Sequence, residues 1–207
     1  MSQFFQIHPD NPQARLVRQA VDIIRDGGVI VYPTDSAYAL GCHIGDKNAL
    51  DRIRRIRRLD SRHNFTLVCR DLSEIATYAR VDNTVYRLLR HATPGPYTFI
   101  LRATSELPRR LLHPKRKTVG LRVPDNAIAA ALLADLDEPL MSVSLIMPGE
   151  DLPLIDPYEI RSLLEHEVDL VIDGGYCGME PTTVVDLADD TPLVLRAGKG
   201  DTAPFED

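Results

Sequence analysis

The sequence predicts an α/β fold built on a mixed sheet with flanking helices. Three observations carry that prediction. Short β-branched runs alternate with segments of helical periodicity along most of the 207 residues. Three strand-like runs then follow one another near the C-terminus, which requires some antiparallel pairing. No G-x-G-x-x-G follows the first predicted strand, and Gly198-Lys199-Gly200 lacks the spacing of a Walker loop, so neither nucleotide-binding motif is present.

The elements follow in order. Leu16, Ala20, Ile23 and Ile24 recur at helical spacing after Pro12, and Gly27-Gly28 stops that helix. Val29 to Tyr32 reads as a buried strand ending at Pro33. A helix covers Lys47 to Leu59, with Leu50, Ile53 and Ile56 inward, and Phe65 to Cys69 is the next strand. Helices follow at Leu72 to Ala79 and Asn83 to His91, the second capped by Asp82. Pro94-Gly95-Pro96 turns the chain into a strand from Tyr97 to Arg102. A short helix near Leu107 to Leu112 leads through Lys115-Arg116-Lys117 to a strand at Val119 to Val123. A helix at Ala127 to Leu136, a strand at Leu140 to Leu145 and a helix at Tyr158 to Glu165 come next. Strands at Asp169 to Ile172, Thr182 to Leu187 and Leu193 to Arg196 close the chain.

With 44% hydrophobic and 26% charged residues, the composition is that of a globular protein with a core. No linker, repeat or low-complexity segment divides it, so a single domain over residues 1–207 is expected. The 3 cysteines, Cys42, Cys69 and Cys177, are too sparse for a disulfide framework or a zinc site. No signal peptide opens the chain, and no run of about 18 apolar residues spans a bilayer. A cytoplasmic protein with no membrane partner and no metal site is expected.

The net charge of −6 argues against a general nucleic-acid coat. Its distribution does not, because Arg52, Arg54, Arg55, Arg57, Arg58 and Arg62 crowd one stretch. Arg54, Arg55, Arg58 and Arg62 are expected on one helical face, away from Ile53 and Ile56. Such a face repels itself without an anion, unless salt bridges to the acidic C-terminal half neutralise it.

Four further segments could carry chemistry. Pro33-Thr34-Asp35-Ser36-Ala37-Tyr38 directly follows a buried strand, where open α/β sheets bind ligands. It could equally be a Ser/Thr turn satisfying its own backbone. Arg122 lies in the apolar run Thr118-Val119-Gly120-Leu121-Arg122-Val123 and needs a ligand anion or an acidic partner. Ser142 and Ser144 share one side of a strand. Pro181-Thr182-Thr183 and Leu195-Arg196 complete the set. No histidine pair at metal-binding spacing and no G-x-S-x-G elbow is present, so no residue is assigned as an acid–base catalyst. A cleft for an anionic, nucleotide-type ligand is expected.

In this order, from about Val29 to Gly198, the segments resemble the YrdC-like family of YrdC, YciO and the threonylcarbamoyl-AMP synthases. The arginine helix and Asn64-Phe65-Thr66-Leu67-Val68-Cys69 look most like the YciO subgroup. The resemblance implies a twisted, open sheet with a concave, basic cleft, and synthase-like nucleotidyltransferase chemistry on L-threonine, bicarbonate and ATP with Mg2+, linked to tRNA modification. It also implies RNA, double-stranded RNA included, as a partner. By position it implies Thr34, Ser36, Tyr38, Arg122 and Ser142 for a threonine-type ligand. It implies Asn64, Thr118, Ser144, Thr183 and Arg196 for the nucleotide; the family's Lys-x-Arg motif has no clean copy, with Arg57 in the lysine's place, Leu59 in the arginine's, and Arg55 and Arg58 near enough to compensate. Arg54, Arg55, Arg57, Arg58, Arg62, Lys115, Arg116 and Lys117 would meet RNA. The family's Ser-x-Asn motif becomes Ser144-Leu145-Ile146, so an amide is replaced by a branched alkyl group. A non-catalytic RNA-binding module is the alternative this departure leaves open.

Overall fold

The computed structural model describes residues 1–60, 63–189 and 191–206. Its strands are β1 (Gln3–Gln6), β2 (Ile30–Tyr32), β3 (Ala39–His43), β4 (Thr66–Val68), β5 (Tyr97–Arg102), β6 (Thr118–Arg122), β7 (Leu140–Ser144), β8 (Leu170–Asp173), β9 (Thr183–Asp186) and β10 (Leu193–Arg196). Its helices are α1 (Ala14–Arg25), α2 (Lys47–Arg57), α3 (Leu72–Tyr78), α4 (Asn83–Ala92), α5 (Ala127–Leu136) and α6 (Pro157–Leu164). The strands form one ten-stranded sheet in the order β1-β8-β2-β3-β7-β4-β6-β5-β9-β10. The sheet is mixed, as expected: β8 runs parallel to β1 and β2, whereas β3 is antiparallel to both β2 and β7.

Helix starts follow local chemistry. Asp46, Asp71, Asp82, Asn126 and Asp156 each accept a backbone N–H of the first turn, which the helix itself cannot satisfy. Helix α2 ends at Arg58, whose φ of 50° is left-handed. Arg58 therefore leaves the helical surface, and the expected common face of Arg54, Arg55 and Arg58 does not form. Arg62 lies outside the described residues. Two strands escaped the sequence pattern, β1 and β3. The helix expected near Leu107 to Leu112 is a single 3-10 turn, Arg109–Leu111.

Two cores flank the sheet. On one face α1 and α5 bury Val17, Val21, Ile24, Ile128 and Leu132 against Ile30, Tyr32, Ala39, Val68, Leu140 and Ile172. On the other, α2, α3, α4 and α6 supply Leu50, Ile53, Ile75, Leu89 and Ile160 against Val31, Leu40, Leu67, Phe99, Leu121, Met141 and Val185. Strand side chains alternate between faces. The first face therefore continues past α5 through Thr66, Thr98, Thr118, Gly120, Ser142 and Val184. The apolar cluster built by α1 and α5 does not reach these residues, and a cleft lies over them.

Candidate functional site

Register aligns the cleft floor. Ser142 pairs with Thr66, Thr66 with Gly120 and Gly120 with Ile100, in rows crossing β7, β4, β6 and β5. Thr98 pairs with Val184, and Val184 with Arg196. Two adjoining cavities occupy this floor and share Asn64, Thr66, Thr98 and Val184. One, of about 190 Å3, is polar, with Thr34, Arg122, Ser142, Ser144, Thr182 and Arg196 in its walls. The other, of about 290 Å3, adds Phe65, Ile100, Leu111 and Val119, with His113, Arg116 and Thr118 at its edge. A Cβ built on Gly120 would meet Thr66 Oγ1 at 3.5 Å and Thr98 Cγ2 at 3.6 Å, ordinary contacts, so glycine there keeps the floor open without backbone strain.

At the inner end, Arg122 is almost fully buried. Its carboxylate partner is Asp35, which binds Nη2, and Nη1 lies 3.3 Å from Ser36 Oγ. The acidic partner that the strand run did not reveal thus sits in the Pro33–Tyr38 turn. One group remains open: the buried Nε of Arg122 has no hydrogen-bond partner. Beside it, Ser142 Oγ lies 3.1 Å from the Leu40 carbonyl and 2.7 Å from the Tyr32 hydroxyl. A carbonyl can only accept, so Ser142 donates to Leu40 and Tyr32 donates to Ser142. Burial raises the Tyr32 pKa to about 12, which keeps that proton in place. The free lone pair of Ser142 Oγ is then an acceptor.

The turn hydroxyls are largely committed internally. Thr34 Oγ1 donates to the Ala37 carbonyl at 2.6 Å and accepts the amides of Ser36 and Ala37, so this is a self-satisfying turn whose Thr34 also forms cavity wall. Tyr38 is fully buried; its hydroxyl donates to Gly175 O at 2.6 Å and accepts Gly174 N–H at 3.2 Å. The structure therefore gives Tyr38 a partner other than a ligand, and Ser36 a place behind the cavity wall.

The nucleotide-type residues divide. Asn64, Thr118, Ser144 and Arg196 line the cavities. Thr183 does not: fully buried on the opposite face, it donates to Gly200 O and accepts Gly198 N–H. Its neighbour Thr182 faces the cleft instead, and its carbonyl accepts Arg196 Nε at 3.0 Å and Nη2 at 2.8 Å. Strand parity could have chosen between them, given Val184 as a floor residue. Arg55, Arg57 and Arg58 are absent from the walls of both cavities.

The basic segments are partly neutralised. Arg52 pairs with Asp169 at 2.7 Å. Arg54 pairs with Asp51 at 3.3 Å and lies over the Phe65 ring. Arg116 pairs with the buried Asp186 and with Asp189. Arg55, Arg58, Lys115 and Lys117 are exposed. A small cavity of about 80 Å3 lined by Arg54, His63, Asn64, Arg110 and Pro114 joins the end of the arginine helix to the start of the basic loop, at the outer rim of the cleft.

The fold and cleft define a mixed α/β protein whose exposed sheet face carries a polar, arginine-bearing groove. A family model described as telomere recombination, grouping Sua5, YciO and YrdC, matches residues 22–198. The chain is 64% identical over 205 residues to YciO of Escherichia coli, covering 99% of this chain and 100% of that protein. It is 66% identical over 206 residues to an uncharacterised protein of Haemophilus influenzae. The crystal structure of E. coli YciO matches with a TM-score of 0.96 over 100% of both chains. P. abyssi Sua5 complexed with L-threonine matches with a TM-score of 0.87 at 24% identity, over 95% of this chain and 58% of that one, a likeness of fold. The chain belongs to the Sua5/YciO/YrdC family. No described helix is long and apolar enough to cross a membrane.

Proposed function

We propose that the chain, acting as a single cytoplasmic domain, binds ATP and a threonine-type amino acid along this cleft. It would perform a weakened or altered threonylcarbamoyl-AMP synthase-like reaction, linked to tRNA modification. The observation that carries the reading is the partnerless Nε of Arg122, a buried cationic donor on a side chain that lines a polar groove. A buried polar group without a partner is costly unless a ligand supplies one. The amino acid's carboxylate fits Arg122 Nε, and its amine fits Ser142 Oγ. Phosphates fit the stretch of Ser144, Thr182 and Arg196, and the base fits the more apolar cavity near Phe65, Ile100 and Val119.

The chemistry needs little acid–base help. The threonine amine and bicarbonate form a carbamate with loss of water. A carbamate oxygen then attacks the α-phosphorus of ATP, the bond from that phosphorus to the bridging oxygen breaks, and pyrophosphate leaves. The protein contributes positioning and fixed positive charge; Mg2+ arrives with ATP as part of the substrate. Ile146, half-buried and bridged to Pro153, offers no donor where the family carries an amide, consistent with a slow reaction.

Calorimetric titration with Mg-ATP and L-threonine tests the reading, using Gly120→Leu as the blocked control. The wild-type chain is expected to bind both, and Gly120→Leu to lose ATP affinity at least about tenfold with its melting temperature held, because the new side chain fills the floor between Thr66 and Thr98. Equal ATP binding by both proteins would place the nucleotide elsewhere.

A second reading, RNA binding at the outer rim with or without catalysis, is favoured by the meeting of the α2 end and the 113–117 loop across one small cavity. Arg55, Arg58, Lys115 and Lys117 are the exposed cations of the two segments that meet there, though none of them lines that cavity.

A further inference from the structure

Asp35 is a carboxylate that lines neither cavity, yet it governs the charge of the inner one. Its side chain and that of Arg122 are 7% and 8% exposed. One Asp35 oxygen binds Arg122 Nη2; the other accepts the Asp125 amide at 2.9 Å. Lys199 donates to the backbone carbonyl of Asp35, which fixes the same residue from the rim. Asp35 and Ser36 thus occupy the two terminal nitrogens of the guanidinium, and the buried Nε is left without a protein partner on a side chain that lines the groove.

The consequence is electrostatic. Among the described lining residues of the polar cavity the ionised groups are Arg122 and Arg196, and none is a carboxylate. Asp35 cancels the first arginine and leaves the second uncancelled. The inner end is therefore neutral but bipolar: one cavity wall holds a donor, Arg122 Nε, and an acceptor, Ser142 Oγ. The outer end, at Arg196, stays positive. A neutral bipolar end suits a zwitterion, because carboxylate and ammonium each meet a complementary group and no net charge is buried. A phosphate dianion there would meet the Asp35 charge at close range in a poorly solvated site and find an acceptor where it needs a donor.

We propose that Asp35 is a specificity-determining residue: its pairing with Arg122 makes the inner end of the cleft accept a zwitterionic amino acid and reject phosphate, so that the two halves of the groove take different parts of the substrate set. The proposal rests on the reading that Arg122 meets the ligand. Discrimination here comes from a repulsive element as much as from an attractive one.

The test is titration with inorganic phosphate, comparing wild type, Asp35→Asn and Asp35→Asn/Arg122→Gln. Asparagine keeps the shape and removes the charge, so Arg122 becomes a buried unpaired cation with high affinity for anions. Asp35→Asn is expected to bind phosphate at least about tenfold more tightly than wild type, with the gain absent from the double variant. Asp35→Glu, which keeps the charge, should bind phosphate as wild type does. Equal phosphate affinity in wild type and Asp35→Asn, or a gain that persists without Arg122, would overturn the proposal. If Asp35→Asn is recovered unfolded, the phosphate dependence of its refolding yield decides: a yield that rises with phosphate supports the proposal, and an indifferent one overturns it. Failure of the wild-type chain to bind L-threonine would sink the proposed function instead, and leaves a different trace from failure of the phosphate gain.

Discussion

Removing the Arg122 guanidinium has two separable consequences. The ligand loses its cationic partner, and Asp35 is stranded in a site where its side chain is 7% exposed. Breaking a buried pair typically costs about 3–5 kcal/mol, so Arg122→Ala should lower the melting temperature markedly as well as abolish threonine-type binding. An arginine seen only as an isolated strand residue suggests a modest cost; the Asp35 pair makes it large. Tyr38→Phe provides the contrast. It removes a donor to Gly175 O and an acceptor for Gly174 N–H, at a cost of about 1–3 kcal/mol, and should leave L-threonine affinity unchanged. Melting and titration of the two variants check both statements. A loss of L-threonine binding in folded Tyr38→Phe would return Tyr38 to the ligand site. The anionic need of Arg122 was legible in its strand setting. That its first partner is Asp35 was not, because the pair is made 87 residues apart in the chain.

At the scale of elements, α2 shows how a charge run divides. Arg52 fastens the helix to the start of β8 through Asp169 and the Glu167 carbonyl. Arg54 is held by Asp51 and Phe65. The stretch is therefore divided between paired and unclaimed residues. The salt bridge to the C-terminal half exists at Arg52, and exposed cations remain at Arg55 and Arg58. Charge reversal confined to Arg55→Glu/Arg58→Glu spares the structural pairs. If both residues meet RNA phosphates, the slope of log K against log salt should flatten by about 0.7–0.9 per residue. An unchanged slope in a filter-binding salt series would remove them from the RNA surface. The strands show a related division. Thr182 and Thr183 are equivalent as neighbours in sequence, but strand parity sends one to the cleft and the other to Gly198 and Gly200.

For the whole molecule, the alternation of strands and helices was legible because most elements carry their own period and five of the helices, α2 to α6, their own side-chain cap. Strand β1 is four residues long with only its two central residues partly buried, and β3 contains Ala39 and Gly41, so neither announces itself by β-branched content. The cleft is a different kind of feature. It exists because register sets Ser142, Thr66, Gly120 and Thr98 on one face beyond the reach of the α1 and α5 core, a relation among strands that no local window contains. Most of its polar residues were visible one motif at a time, but Thr98, inside an ordinary strand run, was not, and their assembly required the strand order. The central claim is that this uncovered face binds an amino acid and a nucleotide end to end. The direct measurement is a crystal structure of the chain soaked with L-threonine and a non-hydrolysable ATP analogue. The threonine carboxylate is expected on Arg122 Nε, its amine on Ser142 Oγ, and the phosphates along Ser144, Thr182 and Arg196. Ligands bound elsewhere while this groove holds only solvent would contradict it.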